Sequence, residues 1–196
     1  MKPILFNTAM VRAILDGRKT VTRRVIKPQP NENADMRYCF AGGRKDDVGK
    51  WHDWQQGVMD APKWTPPCHA DDILYVRETW GYDKNNWLYK ADFTPADLDR
   101  IASITRWHPS IHMPKEAARI FLRVTKVWVE RLHDMTATSA MDEGFTDWMD
   151  FVKTWDSTIP KHPNIFKSYP YYWKDNPWVW VIKFERISRE EAYHEQ

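Results

Sequence analysis

A short run near the start of the chain combines a lysine, hydroxyl groups and extra cations at close spacing. Residues 17–24 (GRKTVTRR) place four cations within seven positions and follow the pattern G-x-K-x-x-T-x-R. Nearby positive charge lowers the pKa of a lysine, and Lys19 is flanked by Arg18, Arg23 and Arg24. A neutral amine is a base or a nucleophile near neutral pH. The run therefore predicts an anion-binding cluster with a catalytic lysine inside it.

The charge around this run is strongly positive, although the chain as a whole is nearly neutral. Its 29 Lys and Arg residues against 27 Asp and Glu residues give a formal net charge of +2 over 196 residues. Residues 1–30 hold seven Lys and Arg residues against Asp16 alone, a local net charge of +6. Such a cluster fits a phosphate or nucleic-acid partner, or else a solvated basic face.

A helix and a strand must position the run. An N-cap at Asn7 or Thr8, followed by apolar residues at helical spacing, predicts a helix that runs to Asp16. Gly17 fits the left-handed residue that closes a helix, and residues 20–26 then predict a strand. The run thus starts at a helix end and continues into a strand.

This placement sets a geometric requirement for Lys19 and Thr22. Side chains alternate between the two faces of a strand, so these two would point apart if residues 19–24 were all extended. They can act together only if the chain bends after Gly17.

The remaining chain alternates predicted strands with short helices. Strands are predicted at residues 4–6, 72–79, 87–91, 119–132 and 178–187, and helices at 95–101, 136–143 and 146–157. Residues 27–70, rich in proline, glycine and polar residues, predict a long loop insertion with a hairpin near 37–44. The pattern predicts one α+β domain over residues 1–196, a small barrel with short flanking helices.

Four segments resemble the ASCH family, small β-barrel domains related to the PUA fold that bind RNA or nucleosides. The first is the G-x-K-x-x-T-x-R run. Residues 72–80 (DILYVRETW), 107–114 (WHPSIHMP) and 140–145 (AMDEGF) resemble motifs of its larger, phage-associated branch. Because all four occur in the family's order, the resemblance implies a PUA-like barrel over most of the chain.

The same resemblance implies an activity. One small bacterial ASCH branch is an amidohydrolase that removes acetate from N(4)-acetylcytidine, and its catalytic lysine, threonine and glutamate match Lys19, Thr22 and Glu143. The spacing of Lys19 and Glu143 by itself favours an ordinary ion pair between them, while the resemblance favours the catalytic role. Other ASCH proteins are implied to cleave or merely bind RNA, with the same lysine important. This chain is longer than the small amidohydrolases, and its segments 27–70 and 95–118 could cover or reshape the pocket.

Two classes of function therefore stay open. One is an enzyme, either an amidohydrolase that deacylates an N(4)-acylated cytidine or a ribonuclease on single-stranded RNA. The other is a module that binds RNA or a modified base without chemistry, for which strong salt-dependent binding is typical. In both, the predicted partner is a nucleoside or RNA, and the chain is a monomer or weak dimer. A third hypothesis is a phage accessory protein whose aromatic-rich insertion contacts a protein.

Six residues are predicted to bind substrate around the catalytic candidates: Arg18, Arg23, Arg24, Glu78, Trp80 and His112. Arg24 could hold a ring carbonyl, a phosphate or the Glu143 carboxylate. Glu78 ends a strand, where it either lines the pocket as an acid or pairs with Arg24 for structural reasons. His112 belongs to a proline-flanked loop near the predicted barrel mouth, where both substrate contact and loop packing are open.

The insertion also carries aromatic residues beside cations. Its tryptophans, like several of the 12 in the chain, either stack on bases or form a satellite core that pins the loop; they are Trp51, Trp54 and Trp64, near Arg44, Lys50 and Lys63.

No cofactor and no metal site are predicted. The candidate zinc ligands of the insertion lack the usual C-x-x-C spacing, and separated cysteines are commonly buried apolar residues; the candidates are Cys39, His52, Cys68 and His69. No run of about 18 apolar residues occurs, which predicts no membrane span. The apolar residues 3–6 are too few for a signal-peptide core. A cytoplasmic protein with reduced thiols is the resulting prediction.

Overall fold

The computed structural model describes residues 1–38, 50–53, 63–84, 86–101, 105–159 and 171–194. Their strands are β1 (Lys2–Leu5), β2 (Val21–Val25), β3 (Met36–Tyr38), β4 (Trp51–Asp53), β5 (Lys63–Trp64), β6 (Ile73–Arg77), β7 (Trp80–Asp83), β8 (Asn86–Tyr89), β9 (Phe121–Arg131) and β10 (Trp178–Ile187). Their helices are α1 (Thr8–Leu15), α2 (Pro95–Ile101), α3 (Ala137–Asp142), α4 (Trp148–Thr158) and α5 (Arg189–His194). In this part of the chain, no helix is long and apolar enough to cross a membrane.

A central sheet of five strands runs in the order β1-β6-β9-β10-β2. β1 is parallel to β6, and the other neighbours are antiparallel. A flat sheet would hold its outer strands about 19 Å apart, four spacings of about 4.8 Å. Arg24 on β2 nevertheless donates from Nη2 to the Leu5 carbonyl of β1 at 2.6 Å. The sheet therefore curves until its two outer strands approach. Among the described residues, no strand pairing joins β1 to β2, so the structure shows a curved sheet with two edges.

One helix covers each face of this sheet near β2. α1 buries Val11 and Ile14 in a cluster with Phe6 and residues of β6, β9 and β10. α4 buries Phe151 and Trp155 in a second cluster with Val21 of β2 and with Val179 and Val181 of β10. β2 therefore lies between the two apolar clusters. The polar residues Lys19, Thr22, Arg23 and Arg24 line a cavity together with residues of both clusters.

The predicted insertion contains a small sheet of its own, in the order β3-β4-β5. β3 pairs with Trp51–Asp53, so Arg37 lies opposite His52. The rest of the hairpin predicted near residues 37–44 lies outside the described residues. Trp64 is 6% exposed, packs on Trp180, and donates from Nε1 to the Pro28 carbonyl at 2.7 Å. Trp51 packs its ring edge on Trp180, at 6.2 Å between centroids.

These contacts favour the satellite-core interpretation for Trp51 and Trp64 over base stacking. Both rings pack against Trp180 of the central sheet. Trp54 and Arg44 lie outside the described residues, and so does the side chain of Lys63.

Two elements follow local sequence signals that hydrophobic periodicity does not show. Helix α5 begins after Ser188, whose hydroxyl accepts from the Glu191 amide at 3.1 Å, while Glu191 Oε2 accepts from the Ser188 amide at 2.8 Å. This reciprocal pair is a capping box, and residues 188–191 (SREE) follow its sequence pattern. In the hairpin β7-β8, only the second strand overlaps a predicted one, since the predicted strands end at residue 79 and resume at residue 87. By contrast, the predicted bounds 95–101 and 178–187 are confirmed.

Cys68 offers a direct check on core packing. The residue is 2% exposed, and burial, followed by the nearby Asp72 carboxylate, raises the pKa of its thiol to about 11. Because the thiolate is the reactive form, we expect a Cys39→Ser variant to react slowly with a disulfide reagent at pH 8 until denaturant is added. Fast reaction of the folded variant, at the rate of the unfolded one, contradicts this placement.

Candidate active site

The motif lysine lies just before β2, at a bend that the helix end creates. Gly17 closes α1 with φ of +73°. Lys19 then forms an isolated antiparallel bridge with Glu143, and the Thr20 amide donates to the Asp142 carbonyl at 2.8 Å. β2 begins only at Val21. Strand alternation therefore does not apply to Lys19, and this bend lets both Lys19 and Thr22 line one cavity.

Glycine at position 144 allows the close approach of these segments. Gly144 has φ of +89°, a conformation that side-chain-bearing residues rarely adopt. A Cβ atom there would lie 2.7 Å from the Ala13 Cβ and 3.1 Å from the Lys19 Cβ. The end of α3, the end of α1 and the lysine are thus packed at backbone distance.

Lys19 and Glu143 form a buried ion pair. Lys19 Nζ contacts Glu143 Oε2 directly, and it also donates to the Val21 carbonyl at 2.8 Å and the Glu143 carbonyl at 3.1 Å. The two side chains are 1% and 5% exposed. Burial lowers the pKa of Lys19; the Glu143 carboxylate opposes this, while Arg24 and Arg23 add to it, and the net direction is downward. The ammonium form is therefore less favoured here than in water.

Arg23 holds the other side of the same carboxylate. Its Nη1 lies 3.3 Å from Glu143 Oε1, and its Nε and Nη2 lie 2.9 Å and 2.8 Å from Glu130 Oε1. The Arg23 side chain is 2% exposed, and the side chains of its partners Glu143 and Glu130 are 5% and 18% exposed. Glu143 is consequently fixed by two different cations, one on each oxygen.

A cavity of about 740 Å³ opens in front of this pair. Its polar end is formed by Lys19, Thr22, Arg23, Arg24 and Glu143, and aromatic residues form one wall: Phe145, Phe151, Trp155 and Tyr171. Phe6 lies beneath the cations, with its ring centroid 5.3 Å from the Arg24 guanidinium carbon and 5.6 Å from Lys19 Nζ. The volume falls within the usual range for small-molecule sites, and a nearly apolar wall beside a few polar groups is typical of them.

The structure thus brings together five of the nine predicted site residues: Lys19, Thr22, Arg23, Arg24 and Glu143. Arg18 is not among the described residues that line the cavity. It is exposed, donates to the Gly144 carbonyl at 2.8 Å and pairs with Asp16 at 2.8 Å. Its direction follows from the bend at Gly17, which turns Lys19 inward and leaves its neighbour outside.

Glu78 is buried but belongs to a different network. It is 1% exposed, and its two oxygens accept from Arg119 at 2.9 Å and 3.1 Å; Arg119 also pairs with Asp92 at 2.7 Å. The predicted pairing of Glu78 with Arg24 is therefore wrong, because Arg119 takes that place. Glu78 is absent from the described lining of the cavity, although Thr79 beside it is present.

Trp80 and His112 also fall outside the described cavity lining. The Trp80 ring stacks on His108 at 4.7 Å and meets Trp87 edge-on at 5.3 Å. His112 is exposed on a 3₁₀ turn. The loop that carries both histidines does reach the cavity, but through its residues Pro109 and Ser110.

Sequence reasoning missed two groups of residues at this site. Two members of the aromatic wall, Phe151 and Trp155, follow helical spacing on α4, which is equally typical of side chains that face a core. Glu130 carries no signal of its own, because it is one of several charged residues in a β-rich stretch. The signal that points to it is Trp128 two residues earlier, on the same strand face, whose Nε1 donates to Glu130 Oε2 at 2.9 Å.

The candidate metal ligands are only partly described. Within the described residues, no group of three or more His, Cys, Asp and Glu side chains is placed to hold a metal ion. Cys39 and the side chain of His52 lie outside those residues. Cys68 is buried, and it is a free thiol.

Comparison with known proteins assigns no family. No family model matches the chain, and no curated protein matches it in sequence. A solved structure that resembles it is protein EF3133 from Enterococcus faecalis V583, which carries the family label DUF984. The two share 10% sequence identity at a TM-score of 0.44, over 96% of this chain and 82% of that one. A likeness at this level establishes neither family nor function for the chain.

Proposed function

We propose that this chain is an amidohydrolase with an ASCH-type, PUA-like barrel fold, which deacylates an N(4)-acylated cytidine such as N(4)-acetylcytidine. The observation that supports it is the convergence of Lys19, Thr22 and Glu143 on one cavity, with the lysine buried against the carboxylate. These are the three positions at which the sequence resembles the ASCH amidohydrolases. Strand periodicity by itself would have separated two of them.

The buried pair suits hydrolysis because its two members can pass a proton between them. Burial disfavours separated charges, and the pKa of Lys19 is lowered by it. The neutral amine accepts a proton from water as the water oxygen attacks the acyl carbon. Glu143, which has taken up the proton that Lys19 gives up across their direct contact, donates it to N4 as the carbon–nitrogen bond breaks. Cytidine and acetic acid are released, and Lys19 and Glu143 again form the ion pair.

The other groups of the cavity bind and orient the substrate. Thr22 donates its hydroxyl hydrogen to the acyl oxygen, where negative charge develops. Arg24 presents planar N–H donors to the ring carbonyl of the base. The base packs against the wall formed by Phe145, Phe151, Trp155 and Tyr171, since aromatic stacking is the common way to hold an unpaired base.

The test is turnover of N(4)-acetylcytidine by the purified protein, with cytidine and acetate both measured. We expect release in equal amounts and a decrease in kcat of about 10²-fold in Thr22→Val, because one donor to the developing oxyanion is lost. Thr20→Val is the matched control, since Thr20 lies outside the described lining of the cavity. Absence of release by folded wild-type protein, or equal rates in the two variants, contradicts the proposal.

A second candidate function is binding or cleavage of single-stranded RNA. It is favoured by Lys27 at the cavity rim, whose Nζ lies 5.2 Å from the Tyr171 ring centroid, with Arg24 nearby in the same lining. Cations interleaved with aromatic rings suit a single strand. Labelled RNA that binds with strong salt dependence, while N(4)-acetylcytidine is not turned over, favours this alternative.

A further inference from the structure

The carboxylate that pairs with Lys19 is held through a chain of contacts that starts on another strand. Trp128 Nε1 donates to Glu130 Oε2 at 2.9 Å, and Glu130 Oε1 accepts from Arg23. Arg23 in turn contacts Glu143 Oε1, while Lys19 contacts Glu143 Oε2. The chain of contacts therefore runs from β9 to the ion pair.

The sheet register explains how Arg23 reaches two carboxylates. Arg23 on β2 lies opposite Val181 on β10, and Val181 lies opposite Trp128 on β9. Glu130 lies opposite Val179, one same-face position further along. Val179 and Val181 are fully buried. The Arg23 side chain thus crosses the apolar surface of β10, so its charge needs a fixed partner at the far side.

We infer that Glu130 is a positioning residue for the reaction: it anchors Arg23 so that the guanidinium holds one oxygen of Glu143 and leaves the other for Lys19. This inference rests on the proposed function. Glu130 is absent from the described cavity lining, so it acts through Arg23 rather than on the substrate.

The charges of the cluster support this role. Lys19 and Arg23 are matched by Glu143 and Glu130, so the four groups are formally neutral together. Without the negative charge of Glu130, Glu143 is the remaining anionic partner of the guanidinium among the described residues. The contact at 3.3 Å can then shorten and become bidentate. The carboxylate is then drawn away from Lys19, and the uncompensated charge of Arg23 repels the ammonium.

Both the withdrawal of the Glu143 carboxylate and the repulsion by Arg23 lower the pKa of Lys19. The groups that act on its charge are Glu143, which favours the ammonium, and Arg24 and Arg23, which disfavour it. In Glu130→Gln we therefore expect the pKa of Lys19 to fall by about 1 pH unit, the scale that a neighbouring charge imposes. In Arg23→Met, which removes a repelling cation, we expect the opposite direction. Opposite signs in two variants distinguish positioning from general loosening.

The experiment follows the ¹³Cε signal of Lys19 through a pH titration of protein labelled with ¹³C-lysine. Loss of one signal in Lys19→Met identifies it. The matched control is Glu185→Gln, which breaks an exposed sheet-surface pair with Arg123 at 3.0 Å. We expect its Lys19 titration to match wild type. Glu130→Gln should also lower kcat about tenfold, with KM unchanged, because a misplaced catalytic group slows chemistry rather than binding.

The outcomes separate this inference from the activity that it refines. A Lys19 midpoint and a kcat in Glu130→Gln that equal those of Glu185→Gln overturn it, as does a shift of the same sign in Arg23→Met. If Glu130→Gln fails to fold, Trp128→Phe decides, because it removes the donor that holds Glu130 Oε2. A Lys19 midpoint below that of Glu185→Gln then supports the inference, and an equal midpoint overturns it. Midpoints that move in opposite directions support the positioning role even if wild-type protein fails to turn over N(4)-acetylcytidine; that failure rejects the amidohydrolase only.

Discussion

Replacing Lys19 with methionine is expected to lower kcat for N(4)-acetylcytidine by about 10²- to 10⁴-fold, the range for loss of a positioned base. Methionine keeps the length of the buried stem and removes the amine that contacts Glu143. Because the cavity keeps its shape, KM should change little. The measurement is steady-state release of cytidine, with folding checked by circular dichroism.

Lys183→Met is the matched control for this change. Lys183 lies opposite Val21 in the β2–β10 ladder, so it is a near neighbour of the site along the sheet, yet it is exposed. We expect its turnover to equal that of wild type. Equal loss in both variants would show that the sheet, and not the amine at position 19, is what turnover requires. Full activity in Lys19→Met would remove the lysine from the mechanism.

The same variant reveals the protonation of Lys19 through stability. A lysine whose pKa is lowered by folding binds fewer protons in the folded state than in the unfolded one, so stability rises with pH between the two pKa values. Wild type should therefore gain stability relative to Lys19→Met as the pH increases toward about 10, where an unfolded lysine titrates. Urea denaturation at pH 7, 8 and 9 measures this difference, and a falling difference contradicts the lowered pKa.

How far the sequence predicts this site depends on which physical rule governs each residue. The helix end at Gly17, the capped helix that ends before Glu143 and the strand after Lys19 follow from local signals. The meeting of Lys19 with Glu143 does not, because it joins residues 124 positions apart through a bridge that strand alternation cannot anticipate. Only the resemblance at the motif positions placed them together.

A long-range partner accounts for the misplacement of Glu78. Glu78 was expected at the pocket or beside Arg24, and its actual partner, Arg119, is 41 residues away. Nothing in local periodicity distinguishes one arginine from another, since a buried carboxylate takes whichever cation the folded chain brings to it. The same limit hid Glu130, whose role depends on the register of three strands.

Substituting Gly144 with alanine is expected to destabilise the protein by about 3 kcal/mol and to lower turnover as well. Two costs combine. The left-handed backbone at φ of +89° is strained for alanine, at about 1–2 kcal/mol. The new Cβ would also lie 2.7 Å from the Ala13 Cβ and 3.1 Å from the Lys19 Cβ, and overpacking costs about 1–3 kcal/mol.

Gly17→Ala separates these two costs. Gly17 has φ of +73°, and a Cβ there meets nothing within 4 Å, so this variant carries the backbone strain without the contacts. We expect it to lose only about 1–2 kcal/mol and to keep its kcat. Equal destabilisation by the two substitutions would show that close approach at position 144 contributes nothing.

The contacts of Gly144 also tie the stability of the protein to the proposed activity. A Cβ at 144 must push apart the end of α1 and the backbone of Lys19, and this movement changes the contact between Lys19 and Glu143. Turnover by Gly144→Ala should therefore fall by about tenfold or more even at temperatures where the variant is fully folded. Adding Ala13→Gly removes the 2.7 Å contact and should restore part of the stability, although a helical glycine costs about 0.5–1 kcal/mol. Recovery of stability without recovery of turnover would identify Lys19, not α1, as the segment that had to move.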